Sequence, residues 1–344
     1  MTDMSDHEVT VEQEIANISM GRPHVIILGA GVNKAALPNG DKNGKPVPIL
    51  REIAADLNLL SLFPSEFHEL AELNFEAAYS QLFDQGQSSI LDEINKRVYD
   101  YFSELELPDE ANLYDQLTLS LREKDVIFTF NWDPFLIQSR IRLAKLGVTS
   151  FPRLFFLHGN VRIGFCKKDK TSGLPGLRCT KCGQFFKQSQ LMYPVQKKNY
   201  KDGDLIEREW DAAQSYLKCC FMLTIFGYSA PQTDVEAIEL LKKGWGEPQQ
   251  REMEQTEIIN RPGADHDQLL ETWAPFIHSH HSDVWDSFYD SSLGNHPRRS
   301  GEAYWNQYIE AKWISENPVP REITNLVELV EWHRPLFEVE QAEK

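Results

Sequence analysis

The stretch HVIILGAG at positions 24–31 decides the expected fold of this chain. Residues Val25 to Leu28 form a short apolar, β-branched run of the kind that is buried as a strand. The run stops at Gly29-Ala30-Gly31, and a glycine turn directly after an apolar run marks the end of such a strand. We therefore expect a strand over 24–28 and a turn over 29–31.

Three later stretches have the same design, an apolar run that gives way to polar or glycine residues. They are 125–130 before Asn131-Trp132-Asp133, 153–157 before His158-Gly159, and 220–226 before Gly227-Tyr228-Ser229. Helical spacing between the runs predicts a doubly wound, mostly parallel, Rossmann-like α/β sheet with a helical insertion. Ligands of such sheets bind outside the carboxyl ends of the strands, so all these endings are expected to line one pocket.

The domain organisation follows from the position of these runs. Residues 1–22 are polar and are expected to form a flexible N-terminal arm. The sheet domain is expected over 23–245, with an irregular, cysteine-containing insertion over 160–204. Residues 246–344 are rich in Trp, His and charge, and we expect them to form a mainly helical C-terminal region that packs on the core.

Length and charge exclude several classes of function. The chain has 344 residues, enough for one large core, and a formal net charge of −17. Unselective nucleic-acid binding depends on Lys and Arg that neutralise phosphates, so direct nucleic-acid binding is not expected. No apolar run approaches the roughly 20 residues that span a bilayer, and the N-terminal stretch is acidic where a signal peptide is basic and then apolar. We expect a cytoplasmic protein without membrane contact.

Two clusters outside the strand ends carry candidate ligand groups. Cys166, Cys179 and Cys182 are three of the five cysteines, and two thiolates separated by two residues can chelate one zinc ion. Because the fourth cysteine of a complete site is missing, the sequence favours a metal-free remnant over bound zinc. Arg298 and Arg299 offer guanidinium groups that can bind a phosphate or a carboxylate bidentately.

The strand ends carry residue types that suit chemistry on a sugar. Asn131 and Asp133 can face the same side and hold ribose hydroxyls and a water; the alternative is that either one caps the next helix. His158 is a candidate general base, although a structural histidine is the commoner case. The glycine turn suits the close approach of a pyrophosphate, or is a simple strand-to-helix turn. Lys34 stands where the hydride-transfer fingerprint has its third glycine, which counts against an ordinary dehydrogenase.

The order of these motifs resembles the sirtuin superfamily over roughly residues 24 to 243. The motifs are Gly29-Ala30-Gly31, Thr129-Phe130-Asn131-Trp132-Asp133, His158-Gly159, Cys179-x-x-Cys182 and Gly227-Tyr228-Ser229. The chain looks most like the divergent NAD-hydrolysing domains of bacterial anti-phage systems, which share a stretch similar to Asn74-Phe75-Glu76. The resemblance implies that NAD is the substrate and is bound by Gly29, Ala30, Gly31, Asn33, Thr129, Gly227 and Ser229. It implies catalytic roles for Asn131, Asp133 and His158.

The chain also departs from the pattern of sirtuin deacylases. Val32-Asn33 stands where Ala-Ser usually follows the glycine turn, and the downstream Pro-Asp-Phe-Arg does not occur. The resemblance therefore implies an NAD glycohydrolase that releases nicotinamide and ADP-ribose, acting as an NAD-depleting effector of anti-phage defence. Two rivals stay open: an NAD-dependent protein deacylase, and a module that binds NAD or ADP-ribose without chemistry. The resemblance also implies control by homo-oligomerisation or by a protein partner such as an ATPase or sensor subunit.

Overall fold

The computed structural model describes residues 7–193, 204–230 and 234–343. The strands in these ranges are β1 (Glu8–Val9), β2 (His24–Leu28), β3 (Val126–Thr129), β4 (Arg153–Phe156), β5 (Gly164–Cys166), β6 (Thr171–Gly173), β7 (Lys187–Gln188), β8 (Met222–Phe226), β9 (Gln255–Ile259), β10 (Ser282–Trp285) and β11 (Trp313–Ile314). Six of them form one sheet in the order β10-β9-β8-β2-β3-β4, and every neighbouring pair is parallel.

Helices surround this sheet. They are α1 (Val11–Ala16), α2 (Gly31–Ala36), α3 (Ile53–Asp56), α4 (His68–Leu73), α5 (Phe75–Asp84), α6 (Ser88–Ser103), α7 (Leu113–Leu119), α8 (Phe135–Lys145), α9 (Asp204–Cys219), α10 (Val235–Trp245), α11 (His266–Trp273), α12 (Ser292–Asn295), α13 (Ser300–Tyr304) and α14 (Leu326–Ala342). In the described ranges, no helix combines the length and the apolar character that crossing a membrane requires.

The central strands are apolar on both faces. In β2, Val25 and Ile27 belong to one hydrophobic cluster and Ile26 and Leu28 to another, and all four side chains are fully buried. Helices α9, α10 and α11 cover the face of Val25, while α5, α6 and α7 cover the face of Ile26. Burial on both faces explains why these strands read as continuous apolar runs rather than as alternating patterns. The expected doubly wound, parallel α/β fold is confirmed.

The strand order reverses between β2 and β8. From β2 the chain builds β3 and β4 on one side, then returns to place β8 on the other side of β2 and continues to β9 and β10. The helices that follow β2 and β8 pack on opposite faces, since Val32 of α2 lies in one cluster and Leu241 of α10 in the other. A crevice opens at the carboxyl ends of the strands at such a reversal, and this crevice is where ligands bind in α/β sheets.

All the strands expected from the sequence are present, and the large sheet contains two further strands from the C-terminal region. Strands β9 and β10 extend the sheet beyond β8, so residues after 245 contribute to the sheet as well as packing on it. The sequence hides β9 because Gln255 and Glu257 are polar yet buried. Hydrogen bonds inside the protein compensate for this burial, with Ser292 donating from its backbone N–H to Glu257 Oε1 at 3.1 Å.

The described part of the N-terminal arm is packed on the body, which differs from the expected flexible arm over 1–22. Strand β1 pairs in parallel with β11, and Thr10 caps α1 together with Gln13. Glu14 on α1 is 3% exposed, and its Oε1 lies 2.7 Å from His296 Nδ1. A buried side-chain hydrogen bond and a short strand anchor this segment, and neither can be read from the local composition. Residues 1–6 of the arm lie outside the described ranges.

The insertion expected over 160–204 is more regular than its composition indicates. Strands β6, β5 and β7 form a small antiparallel sheet in that order. Gly164 and Gly173 allow Phe186 to pack across the sheet, since a Cβ on either glycine would approach that ring or its Cβ within 2.8 Å. Residues 194–203 of the insertion lie outside the described ranges.

Candidate active site

The carboxyl ends of the four predicted strands open into one cavity of about 1200 Å³. Its walls include residues 29–31 after β2, 131–133 after β3, His158 after β4, and 227–229 after β8. The expectation that these endings meet in one pocket is confirmed. Ligand pockets commonly measure about 300–1,000 Å³, so this cavity has room for a large, cofactor-sized ligand.

The glycines of the first turn are required by the contact between two loops. A Cβ on Gly29 would lie 2.5 Å from the Gly227 carbonyl oxygen, and one on Gly31 would lie 2.8 Å from Gly227 Cα. The backbone N–H groups of Gly29 and Gly31 donate to the carbonyls of Phe226 and Gly227 at 3.0 and 2.9 Å. These two amides therefore join the loops. Neither of them points to a pyrophosphate, although the sequence led us to expect such a contact. Phosphate binding by residues 29–31 stays a prediction, and other groups of the turn would have to make the contact.

Asn131 is held in the cavity wall by its neighbours. Its backbone N–H donates to Thr129 Oγ1 at 3.0 Å, and its Nδ2 donates to the Gly29 carbonyl at 3.2 Å. Thr129 was expected to bind the cofactor, but it is fully buried and lies behind the residues that form the wall. Its hydroxyl positions Asn131 instead. The side-chain oxygen of Asn131 is the acceptor that this arrangement leaves for a ligand or a water.

Asp133 bonds to the start of the next helix, which is one of the alternatives that the sequence left open, and it also lines the cavity. Its Oδ1 accepts the backbone N–H of Phe135 at 3.2 Å at the start of α8, and its Oδ2 accepts from Asn33 Nδ2 at 3.0 Å. Asp133 and Asn33 are almost fully buried, and both line the cavity. Burial raises the pKa of Asp133 to about 6, although the hydrogen bonds from Asn33 and Phe135 act to lower it. The carboxylate is therefore mainly ionised above neutral pH.

His158 lies between a carboxylate and an aromatic wall. Its Nε2 is 4.0 Å from Asp234 Oδ1, and Asp234 Oδ2 accepts a hydrogen bond from the Tyr228 hydroxyl at 2.9 Å. The imidazole contacts the Phe130 ring edge-on at 4.7 Å between centroids, and Phe130 stacks on Tyr228 at 4.2 Å. An imidazole beside a carboxylate is the arrangement that general-base catalysis commonly uses.

Several wall residues are not evident from the sequence. Asp234 follows β8 at a distance along the chain, and Asn260, Arg261 and Asp286 come from the unforeseen strands β9 and β10. Asn160 lies behind the wall, where its Nδ2 donates to the Asp133 carbonyl at 2.6 Å. The polar residues at 260–261 follow the apolar pair Ile258-Ile259, so the pattern of an apolar run with a polar end was present there in a weak form.

The stretch Asn74-Phe75-Glu76, singled out by the resemblance, also lines the cavity. The Asn74 side chain accepts the backbone N–H of Ala77 at 3.0 Å and so caps α5. Phe75 is buried in the cluster that covers this face of the sheet. The helices α4 and α5 thus form one side of the same site.

The cysteine cluster gains a fourth ligand that the sequence did not indicate. Asp169 lies with Cys166, Cys179 and Cys182 so that one oxygen and the three Sγ atoms are all within 4.8 Å of one another. Zinc bonds of about 2.3 Å to sulfur and about 2.0–2.2 Å to oxygen in a tetrahedron require distances of this order between ligand atoms. These residues therefore fit a zinc ion. The fourth cysteine is missing, as the sequence indicated, and the Asp169 carboxylate occupies its place.

The two arginines expected to bind an external phosphate or carboxylate bind a carboxylate of the chain itself. Arg298 Nε and Arg299 Nη1 each lie 2.8 Å from Glu340 Oε1. Both guanidinium groups are fully buried. The pair anchors α14 and is not part of the cavity.

The chain is similar to known proteins in structure and not in sequence. No protein-family profile and no curated protein sequence matches the chain. A Sir2 homologue solved in complex with NAD aligns at 13% identity over 100% of this chain and 96% of its own, with a TM-score of 0.35. A Sir2 enzyme solved for its mechanism and regulation aligns at 14% identity over 91% of this chain and 100% of its own, with a TM-score of 0.40. A variant Sir2 homologue in complex with ADP-ribose aligns at 15% identity over 95% and 97%, with a TM-score of 0.38. The fold assignment rests on the strand order and not on these alignments.

Proposed function

We propose that this chain hydrolyses NAD at the bond between nicotinamide and ribose and releases nicotinamide and ADP-ribose. One observation carries the proposal: a single cavity of about 1200 Å³, at the reversal of the strand order, brings together Asn131, Asp133 and His158. The reversal point is where α/β sheets bind dinucleotides. The resemblance of the motif order to NAD-hydrolysing sirtuin-like domains supports NAD as the ligand.

The bond to nicotinamide breaks with little nucleophilic help because nicotinamide leaves as a neutral molecule from a cationic substrate. The ribose develops positive charge in the transition state, so the site must hold the sugar, place a water and stabilise that charge. The Asp133 carboxylate supplies negative charge in the wall. The Asn131 side-chain oxygen would accept a hydrogen bond from the attacking water, and the hydrogen bond from its Nδ2 to the Gly29 carbonyl supports this orientation.

His158 is proposed as the general base. It would accept a proton from the water or from a ribose hydroxyl, and the nearby Asp234 carboxylate would stabilise the imidazolium that forms. Removal of a positioned general base costs typically 10²- to 10⁴-fold in rate. Asn260, Arg261 and Ser229 lie in the same cavity and are candidates for contacts with the adenosine half.

The proposal is tested by incubating the purified protein with NAD and measuring nicotinamide release by chromatography. We expect Asn131→Ala and His158→Ala to lose at least about 100-fold in rate while remaining folded. The control is His68→Ala, because His68 is an exposed histidine outside the cavity wall whose Nε2 lies 2.9 Å from the Phe63 carbonyl oxygen. Equal rates in His158→Ala and His68→Ala would contradict the assignment.

We further propose that the activity depletes cellular NAD in anti-phage defence and is gated by self-association or by a protein partner such as an ATPase or sensor subunit. The support is the resemblance, together with the argument that an NAD hydrolase without a gate would deplete its own cell. A rate of nicotinamide release that rises with protein concentration, per molecule of protein, would support gating by self-association. A constant specific rate across concentrations would favour a separate partner.

A further inference from the structure

A chain of hydrogen bonds runs from α7 through α2 to the cavity wall. The Tyr114 hydroxyl on α7 donates to Asn33 Oδ1 on α2, and Asn33 Nδ2 donates to Asp133 Oδ2 at 3.0 Å. Tyr114 is 1% exposed and lies behind the wall, whereas Asn33 and Asp133 form part of it. Nothing in the sequence pattern singles out Tyr114.

The direction of each hydrogen bond in this network follows from the ionised form of Asp133. A tyrosine hydroxyl has one proton to donate, and an amide has a carbonyl that only accepts and an NH₂ group that only donates. Because Asn33 Oδ1 accepts from Tyr114, the NH₂ group of Asn33 must face Asp133. An ionised carboxylate only accepts, so this orientation matches the charged form of Asp133.

Tyr114 keeps its proton throughout the physiological range. Burial, and then the negative charge of Asp133, raise the pKa of Tyr114 well above its usual value, while a side-chain hydrogen bond with Asn131 acts in the opposite direction. The hydroxyl therefore remains a donor to Asn33. It also lies between the two asparagines of the site.

We propose that Tyr114 is a positioning residue of the cavity, which fixes the Asn33 amide and through it holds Asp133 as a carboxylate aimed from the wall. The role of Asp133 in catalysis rests on the function proposed above. The hydrogen-bond network does not rest on that function, because it is present in the protein without substrate. Tyr114 would not touch the substrate itself.

The charged groups next to Asn33 and Tyr114 in the sequence are held in ion pairs. Lys34 on α2 pairs with Glu52 at 2.6 Å, and Asp115 on α7 pairs with Arg142 on α8. His158 and Asp234 lie in the same wall and are ionisable as well. A pH profile of activity would mix Asp133 with His158, so the titration of Asp133 must be observed directly.

The test is the titration of the Asp133 carboxyl by NMR in full-length protein labelled with ¹³C at the aspartate side chain, without NAD. Asp133→Asn assigns the signal. Tyr114→Phe is expected to raise the pKa of Asp133 by roughly one pH unit, because Asn33 then no longer has a fixed orientation. The matched control is Tyr79→Phe, since the Tyr79 hydroxyl donates to Asn95 Oδ1 at 2.7 Å in the helical insertion, outside the wall.

A double-mutant cycle decides whether the effect passes through Asn33. Asn33→Ala should raise the pKa of Asp133 by itself, and adding Tyr114→Phe to it should cause no further rise. An unchanged Asp133 titration in Tyr114→Phe, or equal shifts in Tyr114→Phe and Tyr79→Phe, would overturn the proposal. So would a full further rise in the Asn33→Ala background. None of these outcomes depends on NAD cleavage, so a failure of the proposed function is distinguished from a failure of this inference.

Discussion

At the scale of single residues, Asp133 lowers the stability of the protein at neutral pH. Its pKa is raised by burial from 3.8 to about 6, so the folded state holds the proton more tightly than the unfolded chain does. The stability that this group contributes is therefore present below about pH 4 and is lost as the pH rises through about 6. A difference of about two pKa units corresponds to roughly 3 kcal/mol. Such a cost is typical of a site kept for function.

This cost predicts that replacing Asp133 by a neutral residue changes the free energy of unfolding in a pH-dependent way. The free energy of unfolding of Asp133→Asn relative to wild type should rise by roughly 2 kcal/mol between pH 4.5 and pH 7.5, because only the wild type has a carboxyl group to ionise. Urea denaturation at both pH values measures it. Asp109→Asn, at an exposed carboxylate paired with Lys42, is the control and should show no such dependence. A difference between Asp133→Asn and wild type that does not change with pH would contradict the account.

Gly227 is the residue on which the contact of the two loops depends. Its φ is +64°, and a Cβ there would lie 2.5 Å from Val32 N. Gly246 has a φ of +84°, and no heavy atom lies within 4 Å of a Cβ built there. Alanine at Gly246 would therefore meet the same kind of backbone strain as alanine at Gly227, but no steric clash. We expect Gly227→Ala to lose about 1–3 kcal/mol more unfolding free energy than Gly246→Ala. Equal losses, measured by denaturation, would show that the loops do not interlock.

At the scale of elements, the sequence predicts those parts whose signal is local. The run from Val25 to Leu28 is buried on both faces and so reads as a strand without help from any other segment. Strand β9 cannot be predicted in this way, because burial of Glu257 requires hydrogen-bond donors from distant segments, namely Thr224, Trp285 and Ser292. Tyr114 and Asn160 were missed for the same reason, since their partners Asn33 and Asp133 are distant in sequence.

The small sheet of β5, β6 and β7 is predicted to depend on a metal ion. We expect purified protein to contain about one zinc ion per chain, held by Cys166, Asp169, Cys179 and Cys182. Asp169→Ala should lower the zinc content measured by elemental analysis, and Asp169→Cys should retain it. Lys168→Ala is the control, because it changes the neighbouring residue without removing a ligand. Full zinc retention in Asp169→Ala would show that the carboxylate is not a ligand.

At the scale of the whole molecule, Glu340 connects the last helix to the body. Burial acts to raise its pKa, but hydrogen bonds and charges from Arg298 and then Arg299 lower it, so the ion pairs stabilise the fold above the ordinary pKa of a carboxyl group. Glu340→Gln leaves two buried guanidinium groups without a counter-charge and should lower the free energy of unfolding by about 3–5 kcal/mol. Glu338→Gln, at an exposed position of α14, should have little effect. Similar losses in the two variants would contradict this role of Glu340.

The central claim, that the cavity cleaves NAD by hydrolysis, is tested most directly by identifying the products. Wild-type protein is incubated with NAD, with and without an acetylated peptide, and the mixture is analysed by mass spectrometry. The account predicts nicotinamide and ADP-ribose in equal amounts, at a rate that the peptide does not change. Cleavage that requires the peptide and yields acetylated ADP-ribose would instead identify a deacylase. NAD that stays intact under both conditions, and at every protein concentration, while calorimetry shows that it binds, would contradict hydrolysis and identify a binding module.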